Sequence, residues 1–140
     1  MLILDTNVIS AAMVPEKHPI VAAWLATVPA FYTTSITVME VVKGVLPMAE
    51  GKKRDTLIAA ADAVFAPLLQ ADRILTFDYS AAYCYAQLML KRPKPTAGEV
   101  IDAQIAAIAV AHNATVVTQN VKDFAGRGVS VFDPSTGTQH

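Results

Sequence analysis

Five short runs of β-forming residues are spaced along the chain, and helix-forming stretches fill the gaps between them. The runs are residues 2–5 (LILD), 30–35 (AFYTTS), 73–77 (RILTF), 115–118 (TVVT) and 129–132 (VSVF). Strands joined through helices lie parallel, because a parallel pair needs a long crossover. Helices then cover both faces of the sheet. We therefore expect an α/β fold, an α/β/α sandwich around a central, mainly parallel sheet of four to five strands. In such sheets sites form outside the carboxyl ends of the strands. Asp5 closes the first run, and Thr118 and Asn120 follow the fourth, so both groups are expected at one edge.

The helical stretches carry their own punctuation. Residues 6–13 (TNVISAAM) begin a helix directly after Asp5. Pro19 stands at a first-turn position of the next, residues 18–28. Pro47 and Gly51 end the helix of residues 37–48, and Pro67 kinks or closes residues 52–69. Asp78 or Ser80 caps residues 78–90. Residues 91–98 (KRPKPTAG) are a loop. Residues 99–113 form a strong helix ended by Asn113, residues 120–126 a short turn or helix, and residues 134–140 a flexible tail. With 140 residues, no repeat and no linker, residues 1–140 are expected to form one domain.

Hydrophobic residues reach 54 %, much of it alanine, as in residues 57–66 (LIAAADAVFA). Alanine-rich helices fit buried layers or a helix–helix interface, so a homodimer is expected. The apolar runs fall short of the roughly 18 residues a membrane span needs. The apolar start meets Asp5 at once, without a leader-like pattern, so a cytoplasmic protein with no membrane partner is expected. The single cysteine, Cys84, excludes an internal disulfide and a thiolate metal cluster, and reads as a small core residue. Formal net charge is −1, which excludes a basic nucleic-acid coat.

The acids are the informative residues. Asp5 follows LIL, Glu40 lies within ITVMEVV, Asp102 within EVIDAQIAAIA, and Asp123 in NVKDF. A charge in such apolar surroundings is expensive. Each has a local alternative. Asp5 can cap the next helix, Glu40 can complete a capping box with Thr37, and Asp123 can order the last turn. Asp102 sits within a helix, where aspartate is a poor former and caps nothing. Brought together, these carboxylates repel unless a divalent cation neutralises them. All-oxygen ligation suits Mg²⁺ or Mn²⁺, and His18, His112 and His140 show no zinc-like spacing. Such an ion activates water, and a second about 4 Å away would stabilise a leaving oxygen; one or two ions both fit.

Three stretches, LILDTNVIS, TTSITVMEVVKG and DAQIAAIAVAHNATVVTQNVKDF, lie in order and at ordinary spacings. Together they resemble the PIN-domain family, specifically VapC-type ribonuclease toxins of type II toxin–antitoxin pairs, including the FitB-like branch. The resemblance implies an Mg²⁺- or Mn²⁺-dependent endoribonuclease, a homodimer and a cognate antitoxin, which commonly inserts a basic side chain among the acids. Asp5, Glu40 and Asp102 fall on the family's metal-binding acids, and Thr118 on its active-site hydroxyl. Many members carry Asp where this chain has Asn120; others keep Asn with the acid three residues on, which gives that role to Asp123. Asn7 and Asn120 then support the site through neutral hydrogen bonds. Glu99 shares a helix face with Asp102 and reads either as an outer base or as a first-turn acid favoured by the helix dipole.

The expected reaction is hydrolysis of an RNA phosphodiester. Asp5 and Asp102 hold the metal, with Glu40 and Asp123 binding directly or through water. Candidate RNA contacts are Lys43, Lys52, Lys53, Arg54, Lys91, Arg92 and Lys94, weighed against a merely solvated surface. Three rival readings make different demands on the sequence. A haloacid-dehalogenase-like phosphatase needs a second aspartate where Asn7 stands. A receiver domain needs an acidic pair and a late lysine that are not evident. A PIN-like module that binds RNA or protein without cutting is left open by Asn120.

Overall fold

A computed structural model describes residues 1–140. The strands are β1 (Leu2–Leu4), β2 (Thr33–Thr34), β3 (Ile74–Leu75), β4 (Thr115–Val117), β5 (Ser130–Asp133) and β6 (Thr138–Gln139). The α-helices are α1 (Thr6–Met13), α2 (Pro19–Leu25), α3 (Ser35–Val45), α4 (Lys52–Gln70), α5 (Tyr79–Leu88), α6 (Ala97–Ala111) and α7 (Val121–Phe124), with a 3₁₀ turn at Pro15–Lys17.

The sheet runs β1-β4-β5-β6, parallel except for the final antiparallel pair. A parallel bridge from Ile3 to Tyr32 joins the β2–β3 pair to β1. Two backbone bonds of 2.8 Å, Leu4 N–H to Tyr32 and Tyr32 N–H to Leu2, close that seam. The expected mainly parallel sheet between helical layers is what the structure contains.

Successive strand residues face opposite sides, and the strands use this to feed two cores. Ile3, Val116 and Val131 pack with Ala81, Ile105, Ile108 and Phe124 under α5, α6 and α7. Leu4 and Val117 pack with Val8, Ile9, Val41 and Phe65 under α1, α3 and α4. Each fully buried Ile or Leu contributes about 1.5–3 kcal/mol relative to exposure. No helix is long and apolar enough to cross a membrane.

Several local expectations hold, and others need revision. Pro19 opens α2, and Asp78 caps α5 by accepting from Ala81 N–H at 3.0 Å. Pro67 neither ends nor shortens α4 at once; the helix runs one further turn to Gln70. Cys84 is only half-buried. Helix α3 starts at Ser35, capped by Thr34, whose hydroxyl accepts from Thr37 N–H at 3.1 Å. Thr37 is therefore inside the helix, and Glu40 completes no capping box. Residues 134–140 were expected to be a free tail, yet Thr138–Gln139 pair with β5, and His140 and Val131 exchange backbone bonds of 2.7 and 3.1 Å. A turn with Gly137 at φ 73° makes that hairpin possible.

Candidate active site

The register Leu4↔Val117 sets the ends of β1 and β4 level, so Asp5 and Thr118 emerge side by side. Asp5 is 4 % exposed. Its Oδ1 accepts from Thr6 N–H at 2.8 Å, which caps α1. Its Oδ2 accepts from the Thr118 hydroxyl at 2.8 Å and from Asn7 Nδ2 at 3.2 Å. Thr118 Oγ1 in turn accepts from Asn7 Nδ2 and from Asn120 N–H, both at 3.0 Å. One donation and two acceptances use the full capacity of a hydroxyl. Asn7 also accepts from Gln119 N–H at 3.1 Å. It thus clamps the start of α1 to the loop after β4.

Glu40 reaches the site from α3 and is half-buried. Its Oε1 accepts from the Thr6 hydroxyl at 2.5 Å. Asp102 sits on α6 and Asp123 in α7; both are half-buried. The Asn120 side chain is exposed and makes no cap to α7, although its carbonyl accepts from Asp123 N–H at 3.0 Å.

The four acids lie close enough for Asp5 and Asp102 to feel the charges of the other two, Glu40 and Asp123. Burial pushes Asp5 up to a pKa of about 6, against the pull of hydrogen bonds from Thr118 and Thr6; the charges of Glu40 and Asp123 add to the rise. Burial likewise raises Asp102 to about 6, reinforced by Asp5, Asp123 and Glu40 and opposed only by Arg127. Strongly raised carboxyls gathered at a sheet edge are characteristic of functional sites.

The donor set suits a hard divalent cation, since it consists of carboxylates and neutral oxygens. No three Asp, Glu, His or Cys side chains converge closely enough to cage an ion by themselves. Mg²⁺ does not ask for that, because it keeps several waters and commonly takes one or two carboxylates alongside phosphate oxygens. Asp5 is fixed by three hydrogen bonds, whereas only charge and burial set the state of Asp102.

Of the basic candidates, Lys91 and Arg92 line a cleft of about 580 Å³ beside Asp123, together with Glu99, Lys122 and Arg127. Lys43, Lys52, Lys53, Arg54 and Lys94 lie outside its walls. Arg54 instead donates to the Leu46 carbonyl at 3.3 Å. Glu99 accepts from Thr96 in the first turn of α6 and forms an ion pair with Arg92; neither contact gives it a base's role. Sequence reasoning missed Thr6, Lys122 and Arg127. Thr6 carried a signal, being the hydroxyl next to Asp5. Arg127 carried none, since a lone cation between Gly126 and Gly128 reads as surface.

A PIN-domain family model matches residues 2–126 of the chain. The toxin FitB of Neisseria gonorrhoeae is 38 % identical over 139 residues, covering 96 % of this chain and 98 % of FitB. The VapC ribonuclease Y4jK of Sinorhizobium fredii is 37 % identical over 139 residues, covering 96 % and 97 %. The solved structure of FitAB bound to an IR36 DNA fragment superposes with a TM-score of 0.82 at 37 % identity, covering 96 % of each chain.

Proposed function

The chain belongs to the PIN-domain family, and from that premise we propose that it is a metal-dependent endoribonuclease and the toxin of a toxin–antitoxin pair. The observation that carries this reading is the meeting of Asp5, Glu40, Asp102 and Asp123 at one sheet edge, where two carboxyls are raised to about 6. Relatives named as a VapC ribonuclease and as the toxin FitB, similar over almost the whole chain, support the substrate class and the biological role.

Asp5 and Asp102 would hold Mg²⁺ or Mn²⁺, with Glu40 and Asp123 binding directly or through water. Such an ion, when bound, lowers the pKa of a water nucleophile and offsets the charge gathering on phosphorus oxygens. The chain's own residues prepare that site. Thr6, Asn7 and Thr118 fix both oxygens of Asp5, and Thr6 also fixes one oxygen of Glu40. Since Asp5 and Asp102 retain protons near pH 6, a cation must displace them, and binding strengthens as pH rises through that value. No side-chain nucleophile is needed.

The partners on this reading are RNA, an antitoxin and a second copy of the chain. Apolar side chains open to solvent, Val42 on α3, Leu46 just after it, and Tyr79 and Tyr83 on α5, offer surface for the two protein contacts.

The test is cleavage of structured RNA with Mg²⁺ or Mn²⁺, with and without EDTA, beside the Asp5→Asn variant. We expect metal-dependent cleavage that the variant abolishes. RNA bound but left intact by the wild type in either metal would instead make the protein a binding module.

A further inference from the structure

Four cations, Lys91, Arg92, Lys122 and Arg127, line the cleft that Asp123 borders. They share its lining with Asp123 and Glu99; the cleft encloses about 580 Å³ between the end of α5, the loop into α6 and the turn after α7. The chain has 11 Lys and Arg in all and a formal net charge of −1. Four of them line this one cleft against two acids, Asp123 and Glu99, an excess of two positive charges.

Arg127 is the one built into place. Gly126 at φ +75° and Gly128 at φ +70° form the turn that carries it, in a backbone region that disfavours other residues. Its Nε donates to the Asp123 carbonyl at 2.8 Å. The other edge of the guanidinium meets only the Met89 sulfur at 3.9 Å, a weak acceptor. The chain's ion pair joins Arg92 to Glu99, not Arg127 to any acid. A half-buried guanidinium, anchored on one edge and uncommitted on the other, is suited to an anion from outside. Its planar fork matches a phosphate. Because Arg127 is bonded to the backbone of Asp123, one of the four acids, an anion held by it sits beside them.

We propose that this cleft seats the RNA phosphate next to the scissile one, with Arg127 as the positioning residue that grips it. Lys122, Lys91 and Arg92 continue the path of the strand. The inference rests on the ribonuclease reading and deepens it by placing the strand. It gives Glu99 a role unlike that of a base: its ion pair keeps Arg92 occupied until RNA competes for the guanidinium.

A short RNA with a mapped cut site tests the seat. Cleavage in Mn²⁺ is measured for wild type, Arg127→Gln and Arg127→Lys, with kcat and KM separated. The measurement is repeated with one methylphosphonate linkage, which lacks the phosphate charge, walked along the RNA. Loss of a charged hydrogen bond predicts a rise in KM of about tenfold or more for Arg127→Gln, with partial recovery in Arg127→Lys. The neutral linkage beside the cut should cost wild type a similar factor and cost Arg127→Gln little, because paired groups are not additive. Lys122→Gln should lower the salt slope of binding by about 1. Glu99→Gln should tighten RNA binding, whereas loss of a base would lower kcat.

An unchanged KM in Arg127→Gln overturns the proposal. So does equal sensitivity of wild type and variant to every neutral linkage, which would also expose a kcat loss caused merely by a loosened Asp123 loop. A wild type that cuts no RNA sinks the ribonuclease reading instead. The same linkage scan, read as binding in EDTA, then judges the seat separately.

Discussion

The two halves of the acidic site are held by different forces. On the β1 side, Asp5 is buried and both its oxygens are tied down, through Thr6, Asn7 and Thr118, to backbone that the sheet itself positions. On the helical side, Asp102 and Asp123 are half-buried and stand among charges, including three acids and Arg127. The first half is organised before any ligand arrives. The second is arranged by whatever charge enters, which is how a site can admit a strand and a cation without rebuilding its core.

Removing a carboxylate from either half should give the largest effect, and the halves should differ in rescue. Loss of metal-borne charge stabilisation worth several kcal/mol corresponds to a fall of about a hundredfold or more in RNA cleavage for Asp5→Asn and for Asp102→Asn. Raising Mn²⁺ should restore part of the activity of Asp102→Asn, on the half-buried side, and little of Asp5→Asn. Equal rescue of both would erase the distinction.

The next effect is on stability without metal. Asp5 has a folded pKa of about 6 against an ordinary value of 3.8. Between those values the folded chain holds more protons than the unfolded one, so this contribution is complete below pH 3.8 and is lost as pH rises through 6. Its ceiling is about 3 kcal/mol. Urea melts in EDTA should therefore show wild type losing stability from pH 4 to pH 7 relative to Asp5→Asn. A constant difference between the two would remove the buried charge from the account.

Smaller still is the clamp. Asn7→Ala leaves Gln119 N–H without its acceptor and Asp5 and Thr118 without a donor, at a cost of about 1–3 kcal/mol. Asp123→Asn, on the charge-held side, should leave metal-free stability unchanged or raise it. Similar losses in the two variants would show that both halves are prebuilt.

The strands, most helices and the mainly parallel sheet were legible because period and punctuation act locally: LIL and TVV are too short and too β-rich to be anything but buried strands. The acids were legible because an Asp within EVIDAQIAAIA has no cheap local use. Their convergence followed from topology, as Asp5 and Thr118 end neighbouring strands. What escaped notice depended on choices of equal local merit. TTSIT offers threonine caps three residues apart, and tertiary contact with Thr6 rather than a capping box decides where Glu40 points. DPSTGTQH has the composition of a tail, and only β5 turns it into a strand. Lys122 and Arg127 gain meaning from a cleft whose other wall is 30 residues away in sequence.

The seam at Ile3 and Leu4 has a consequence for how the molecule breathes. Those adjacent residues belong to opposite cores, and the next amide, Asp5 N–H, bonds to Val117 at 2.9 Å. Exposing that amide to solvent means separating both cores at once. Its hydrogen exchange should thus report global unfolding, while the Asp123 amide, bonded within a four-residue helix, should exchange by local opening. One carboxylate of the site would then persist for as long as the fold does, while another comes and goes on a much faster clock.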